Sequence, residues 1–322
     1  MTIMNAAVVT SFDHPPRYQP FETPQPATPD EMPVDVLAVG LHPRVRSGAA
    51  GAHYTSTGRL PMIPGIDGVG RRPDGTPIYF VADDHNAGTM ADVAVVDPRR
   101  AIELPDDVDV ATVAATMNPA MSAWVALRSR VPIKPGHGIL VLGATGNAGT
   151  LAVRIARHLG AGRVTGAGRD PERLHALIGQ GADEVVQLTD DPVATGRALA
   201  AAAADVDIVL DYLWGIPAHH ALMALLTARS DRSRALDWIQ IGAIAGPTIQ
   251  LPSVALRSAN LRLQGNGQGA VSTATYLAEL PALVEQISAG TIALTAIPKP
   301  LADVETIWGS MDPPGQRSVL IP

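Results

Sequence analysis

No cysteine occurs among the 322 residues. That one absence removes disulfides, thiolate zinc sites, iron–sulfur clusters and cysteine nucleophiles. Aromatic residues make up only 4% and charged residues 17% of the chain, so its core has to be built from small aliphatic side chains. A basic excess is also missing: the net charge of -7 argues against a nucleic-acid partner, which calls for a basic face. Residues 1–10 lack a basic segment followed by a long apolar one. No run is read as approaching the ~20 apolar residues that span a bilayer. A cytoplasmic protein with no membrane partner is expected. What is abundant is aliphatic: 46% of the residues are hydrophobic, which describes a folded globular chain. Its length is generous for a single core, so two domains are the expectation.

The chain is organised around residues 139–156. A short apolar run, Ile139 to Leu142, breaks into glycines at Gly143, Gly146 and Gly149. Leu151, Ile155 and Leu159 follow at helical spacing, with Ala148, Ala152 and Ala156 beside them. Strand, glycine turn and helix together are the context a dinucleotide-binding fingerprint needs. Gly146 would let backbone approach a pyrophosphate, and Gly149 would let the helix lie close on the strand. The helix N-terminus would offer its unpaired N–H groups to the phosphates. A merely tight strand-to-helix turn is the plain alternative.

Before this stretch the chain reads as β-rich and irregular. Asn5 to Thr10, Asp35 to Gly40 and Pro77 to Val81 are strand-like. A connection dense in proline, from Pro15 to Pro33, cannot be helical. Pro61 to Gly70 carries turn signals, and Arg72 to Thr76 reads as a hairpin turn. Short strands between turns suggest a small barrel. The texture changes near Asp106. Val108 to Arg130 has a helical pattern, interrupted at Asn118-Pro119. From Ile139 onward strands (163–167, 184–188, 206–211, 238–242) alternate with helices (171–179, 191–203, 218–228), which specifies a parallel sheet covered on both faces. The tail has a short helical piece, Val304 to Ser310, and a last strand, Ser318 to Ile321, able to return to the first domain.

In this order the chain resembles the medium-chain dehydrogenase/reductase superfamily, and most of all its zinc-independent quinone oxidoreductase branch. The segments that carry the resemblance are 63–70 (Ile-Pro-Gly-Ile-Asp-Gly-Val-Gly), 88–92, 122–127, 134–136, 181–184 and 259–265. The resemblance implies an α/β fold: a GroES-like β-barrel catalytic domain, residues 1–118 with 293–322, plus a Rossmann doubly wound parallel-sheet domain, residues 119–292. The family's glycine positions fall on Ala144, Gly146 and Gly149. With the residue arguments for the strand ends and loops, the expected cofactor-binding set is Ser122, Ala144, Thr145, Gly146, Asn147, Ala148, Gly149, Gly168, Arg169, Arg173, Gly242, Ala243, Asn266 and Gly267. Relatives often dimerise through the edge strand of the nucleotide domain, so a homodimer is expected, here near 239–270.

The choice of nicotinamide cofactor follows from the residues. NAD-specific turns place an acid at the end of the second strand; here Ala167 and Gly168 are small and Arg169 follows. A guanidinium can bind a 2′-phosphate bidentately where a carboxylate would repel it. Asp170, before Pro171, has the look of a helix N-cap. NADP(H) is therefore expected, with Arg173 assisting or facing solvent.

At the other end of the cofactor, the positions of the family's zinc ligands read His42, Ile66 and Asn118. Ile66 has no donor and one imidazole does not make a zinc site, so metal chemistry is not expected; His85, His219 and His220 lack partners at ligand spacing. The expected reaction is metal-free hydride transfer from NADPH to a small molecule, a quinone or an activated C=C bond. An enoyl-thioester reductase and a non-catalytic NADPH-binding sensor are the alternatives. Tyr54, His42 and Asn118 are the catalytic candidates, with His53 and Arg44 weaker. Tyr54 reads equally as a proton donor or a half-buried barrel tyrosine, and His42 as a cofactor or substrate contact or a structural histidine. Gly265 to Gly269 is either a closing loop or a plain turn, and Trp214 either walls a pocket or fills core.

Overall fold

The computed structural model describes residues 2–82 and 87–322, and the chain divides into two compact units, 1–118 with 277–322, and 119–276. His85 lies outside the described residues.

The first unit begins with an antiparallel pair, β1 (Ile3–Val8) and β2 (Arg17–Glu22). β2 is a strand inside the proline-dense connection. Its Pro20 sits opposite Asn5 at the edge of a two-stranded sheet, where a missing N–H breaks no further ladder. Then come β3 (Met32–Gly40), α1 (Pro43–Ala49), β4 (Asp67–Arg71), β5 (Pro77–Val81), β6 (Val93–Val96) and β7 (Ala101–Glu103). The expected hairpin turn joins β4 to β5, with Gly75 at φ 92° and the Arg72 N–H bonded to the Thr76 carbonyl. β4 falls where turn signals alone were read. Its glycines are strand residues because bulk is forbidden there: a Cβ on Gly70 would stand 3.0 Å from both the Asp35 carbonyl and the Phe80 ring.

α2 (Val110–Val125) corrects the reading of a break at Asn118-Pro119: it runs through Pro119 and continues into a π-helical turn, 126–130. Proline inside a helix costs about 3 kcal/mol. Met117, Ala120, Ala123 and Trp124 around it are buried, and that tertiary burial outweighs the local cost. Val110–Arg130 is also the one helix among the described residues long and apolar enough to cross a membrane, and 67% of its apolar window lies inside the protein. It has the burial of a core helix.

The second unit alternates as the periodicity requires: β8 (Gly138–Leu142), α3 (Asn147–His158), β9 (Arg163–Gly168), α4 (Pro171–Ile178), β10 (Glu184–Gln187), α5 (Pro192–Ala203), β11 (Ile208–Asp211), α6 (Gly215–Ala228), β12 (Leu236–Gln240), α7 (Ser253–Arg257) and β13 (Leu261–Gly265). All six strands are parallel, in the order β10-β9-β8-β11-β12-β13. Strand order reverses at β8 and β11, and the crevice beyond the carboxyl ends of such strands is where ligands bind in open parallel sheets. Both faces are covered. On β9, Thr165 hydroxyl reaches the Ala202 carbonyl of α5, while Gly166 faces Val153 of α3 and Leu177 of α4. Hence Ile139 to Leu142 is apolar without alternation: each residue is buried.

The chain then forms α8 (Thr273–Ser288), which the sequence reading did not contain, β14 (Thr295–Pro300), α9 (Val304–Ile307) and β15 (Gln316–Ile321). β15 pairs antiparallel with β3 and parallel with β14, closing the sheet β14-β15-β3-β4-β5-β7 with β6 also on β3. The tail does return to the first unit. Leu320, Leu301 and Val304 enter the same core as Val39, Phe80 and Met90.

Candidate functional site

The glycine turn is built by close approach. Gly143 takes φ 85°, and both its N–H and that of Ala144 bond the Ala167 carbonyl at the end of β9. A Cβ on Gly149 would stand 2.2 Å from the Gly143 carbonyl oxygen, so only glycine lets α3 start this near β8. Gly146 differs: the nearest atom to a Cβ there is 3.6 Å away, and the residue is exposed. No side chain caps α3 at Gly146, so its first turn keeps N–H groups for an anion. Ala144 is buried, its methyl filling the gap before Gly166, and its carbonyl accepts from the Thr150 hydroxyl.

On the adjacent strand, at the end of β9, Gly168 is glycine because Thr145 occupies the space. A Cβ there would meet the Thr145 Cγ2 at 2.6 Å, so the acid of NAD-type turns has no room. Arg169 is exposed beside it. Asp170 is the N-cap of α4, accepting from the Glu172 and Arg173 N–H groups. Arg173 neither faces solvent alone nor stands apart: its Nη1 reaches the Thr145 carbonyl at 3.4 Å and its Nε lies 3.3 Å from Asp170. The donors present fit a dinucleotide phosphate with an additional phosphate beside Arg169.

At the far side of the same sheet, the ends of β11, β12 and β13 are tied together. Asp211 is wholly buried and accepts from the Leu213 and Trp214 N–H groups and from Trp238 Nε1; burial pushes its carboxyl above the usual range against those donors. The two backbone bonds hold Trp214 at φ 52°, a conformation rare for a bulky residue. Trp214 is half-buried and, with Gln240, Ala243, Pro247, Leu263 and Gly265, lines a cavity of about 320 Å³. Gly242 packs on the Tyr212 carbonyl, 2.7 Å from where a Cβ would be. Ser122 donates to the Pro119 carbonyl at 2.9 Å and so accepts from the Tyr212 hydroxyl at 3.0 Å. Asn266 is buried, its amide donating to the Ser122 carbonyl and its N–H to the Gln240 carbonyl. The loop is thus pinned at Asn266, and its turn begins at Gly267.

In the first unit, His42 lies two residues beyond β3, at the N-cap of α1, and is 2% exposed. Its Nε2 is 3.0 Å from Asp67 Oδ1, and the Tyr79 hydroxyl donates to Asp67 Oδ2 at 2.8 Å. Burial pulls the imidazole below its ordinary 6.5, opposed by Asp67 and reinforced by Arg317 and Arg44. Burial also raises the Tyr79 phenol well above 10. Tyr54 is not the half-buried residue that one reading held: it is 71% exposed, its ring 4.4 Å from that of His53. Asn118 is partly exposed on α2. Ile66 offers no ligand atom, and among the described residues no three His, Asp or Glu side chains converge to hold a metal ion. His219 and His220 lie early in α6, with His219 Nδ1 on the Gln250 carbonyl. Sequence reasoning missed Asp67, Tyr79, Asp211 and Tyr212. Only the Asp-Gly after Ile66 carried a signal, and it was read as a turn.

No protein-family model matches the sequence. A relative from Emericella nidulans, named a probable NADPH-dependent quinone reductase, is 30% identical over 361 aligned positions, covering 99% of this chain and 100% of that protein. The chain belongs to the quinone oxidoreductases of the medium-chain dehydrogenase/reductase type. Another relative, the quinone oxidoreductase-like protein 2 of Rattus norvegicus, is 23% identical over 81% of this chain and 74% of its own length. A polyketide synthase of Streptomyces halstedii is 33% identical over 163 residues, 48% of this chain but 3% of that protein. Among solved structures, the quinone oxidoreductase of Thermus thermophilus, determined also in complex with NADPH, superposes with TM-score 0.77 at 24% identity over 99% of this chain and 100% of that one. A mycobacterial quinone oxidoreductase gives TM-score 0.82 at 20% identity, over 99% and 100%. These two share the two-domain α/β fold of the quinone oxidoreductases.

Proposed function

We propose that this quinone oxidoreductase is an NADPH-dependent enzyme that reduces a quinone without a metal ion. The observation that carries the reading is the end of β9, where Thr145 fills the place of an acid at Gly168 and Arg169 follows. When bound, NADPH supplies the hydride. The backbone of Gly146, Asn147, Ala148 and Gly149, at the start of α3, holds the pyrophosphate, with Ala144 and Thr145 seating the turn. Arg169 pairs with the 2′-phosphate, and Arg173, fixed against the Thr145 carbonyl, adds a second positive charge. Ser122, Gly242, Ala243, Asn266 and Gly267 serve the nicotinamide end. Tyr54, His42 and Asn118 serve the substrate, Tyr54 donating to its oxygen; one such donor is worth roughly 3 kcal/mol of barrier. A conjugated acceptor spreads incoming charge onto oxygen, which is why no metal is invoked and why Ile66 at a ligand position is tolerated.

The test is titration with NADPH and NADH by calorimetry, followed by NADPH oxidation with a quinone panel before and after chelation. Tighter binding of NADPH and turnover unaffected by chelator are expected; no binding, or no oxidation with any acceptor, overturns the reading. A second reading, reduction of the C=C bond of an enoyl thioester, is favoured by the polyketide synthase match. Tyr54→Phe separates the two, since a large loss on enones alone marks proton delivery to carbon. We also propose a homodimer, supported by the open edge of β13 and by Ile244, Val254 and Leu256, 80%, 49% and 52% exposed in the same unit. A monomeric mass by light scattering overturns that.

A further inference from the structure

Among the described residues one non-glycine side chain has a positive φ, and it belongs to a tryptophan. Trp214 stands at φ 52° and ψ -159°, at the border of a backbone region that is essentially reserved for glycine. Its surroundings over-determine it. Asp211, wholly buried at the end of β11, accepts the Leu213 N–H at 2.8 Å and the Trp214 N–H at 2.9 Å on Oδ1, and Trp238 Nε1 at 3.0 Å on Oδ2. The Leu213 carbonyl accepts from the Ala245 N–H at 2.9 Å. Gly215, next in the chain at φ 62°, packs so closely on Ala245 that a Cβ would stand 2.6 Å from its carbonyl oxygen. Glycine is thus used at 215, where space demands it. At 214, where the backbone favours glycine too, the chain carries an indole. That indole packs in part against the core around Leu222 and Trp238, and it also walls the cavity of about 320 Å³. All of these residues lie in the unit 119–276.

The lining of that cavity says what it suits. Trp214, Ala243, Pro247 and Leu263 are apolar, Gln240 and Gln264 carry amides, and no lining side chain is charged. A rigid indole favours stacking against another flat ring. Amides are able to donate to a carbonyl oxygen, whereas an anion finds no cation among them. The volume lies at the low end of small-molecule sites. We propose that Trp214 is a specificity-determining residue, and Asp211 the residue that positions it, in a subsite for the flat, uncharged ring system of a bicyclic quinone. A single-ring quinone gains less from the same wall. Ala243 is the one lining residue that also belongs to the proposed cofactor set, so the subsite adjoins that set without coinciding with it. The choice of a quinone rests on the functional reading above; the strained wall and the cavity do not.

The test uses the full chain, with 1,4-naphthoquinone and 1,4-benzoquinone as acceptors; the protein has no cysteine for either to alkylate. The unaltered protein should favour the naphthoquinone in kcat/KM. Trp214→Ala should lower kcat/KM for the naphthoquinone about tenfold or more, chiefly through KM. It should leave the benzoquinone within about twofold and the NADPH Kd unchanged. Trp214→Phe, which keeps a flat ring, should restore most of the preference. Asp211→Asn should lose it, because the amide nitrogen cannot accept a hydrogen bond where a carboxylate oxygen did; a merely structural role would not move the ratio of the two quinones. Calorimetry with 1,4-naphthoquinone and no NADPH reads the cavity apart from turnover, and Trp214→Ala should bind it about tenfold more weakly. That loss of binding in a protein that reduces neither quinone overturns the functional reading and leaves the subsite standing. The same quinone ratio in the unaltered protein and Trp214→Ala, equal naphthoquinone binding in the two, or no binding to either, overturns the proposal. A fall in mass by light scattering on Trp214→Ala, with the ratio unmoved, gives the cavity to a second copy of the chain and overturns it as well.

Discussion

Arg169 is where a single side chain is asked to decide between two cofactors. A charged hydrogen bond to a phosphate is worth about 1.5–3 kcal/mol, so Arg169→Ala is expected to weaken NADPH roughly 10- to 100-fold and leave NADH nearly unchanged, read by calorimetry. Equal loss for both cofactors would sink the assignment. His42 makes a second prediction at this scale, about pH. Its folded-state pKa is lowered from 6.5, mainly by burial. Between the folded value and 6.5 the unfolded chain therefore binds more protons than the native one. The stability it contributes is fully present above about pH 6.5 and is lost as pH falls through the folded pKa. The Tm should drop on going from pH 7 toward pH 5, and the His42→Asn variant should show a shallower drop. Asp97 and Asp205, both with lowered pKa values, lose their contribution only below the usual carboxylate range, near 3.8, so the two effects separate on the pH axis.

At the scale of elements, α3, α4 and α5 begin in two different ways. α4 and α5 carry aspartate caps, Asp170 and Asp191, each bonded to two N–H groups. α3 begins at Gly146 with no side-chain cap. A cap is worth about 1 kcal/mol, and its absence at α3 leaves N–H groups of the first turn without a side-chain acceptor at Gly146, as the proposed phosphate site requires. Asp191→Ala is expected to cost about 1 kcal/mol in urea unfolding with NADPH affinity unchanged, because α5 has no ligand role. Gly149→Ala should act on both. Its Cβ would press on the Gly143 carbonyl at 2.2 Å, forcing α3 away from β8, with a loss of about 1–3 kcal/mol and a matching rise in NADPH Kd. Unchanged affinity in that variant would mean that close helix–strand packing is not what shapes the turn.

For the whole molecule, the residues proposed to hold the cofactor, from Ser122 to Gly267, all fall in the unit 119–276, and His42 and Tyr54 fall in the other. NADPH at one hundred times its Kd should stabilise the protein by about 2.7 kcal/mol, seen as a rise in Tm of several degrees that Arg169→Ala removes at the same concentration. Composition and texture were legible as a β-rich stretch to Asp106 and alternation after Ile139, whereas the compact units are 1–118 with 277–322 and 119–276, not the expected return at 293. A parallel sheet was legible as well, since strands alternating with helices specify one covered on both faces; its strand order came only from the structure.

The amino-acid sequence by itself determined the family, the glycine turn and the absence of an acid before Arg169, because these depend on residue identity at fixed spacing. Tertiary structure decided the rest. Pro119 lies inside a helix because buried neighbours on either side of it outweigh its local cost. β4 is a strand because its glycines fit against β3 and β5. Thr145 excludes a side chain at Gly168 across 23 residues of chain, which no local pattern records. His42, Asp67 and Tyr79 meet only when three strands pair, and that pairing makes a buried, neutral imidazole from residues that read apart as a lone histidine, a turn and a strand.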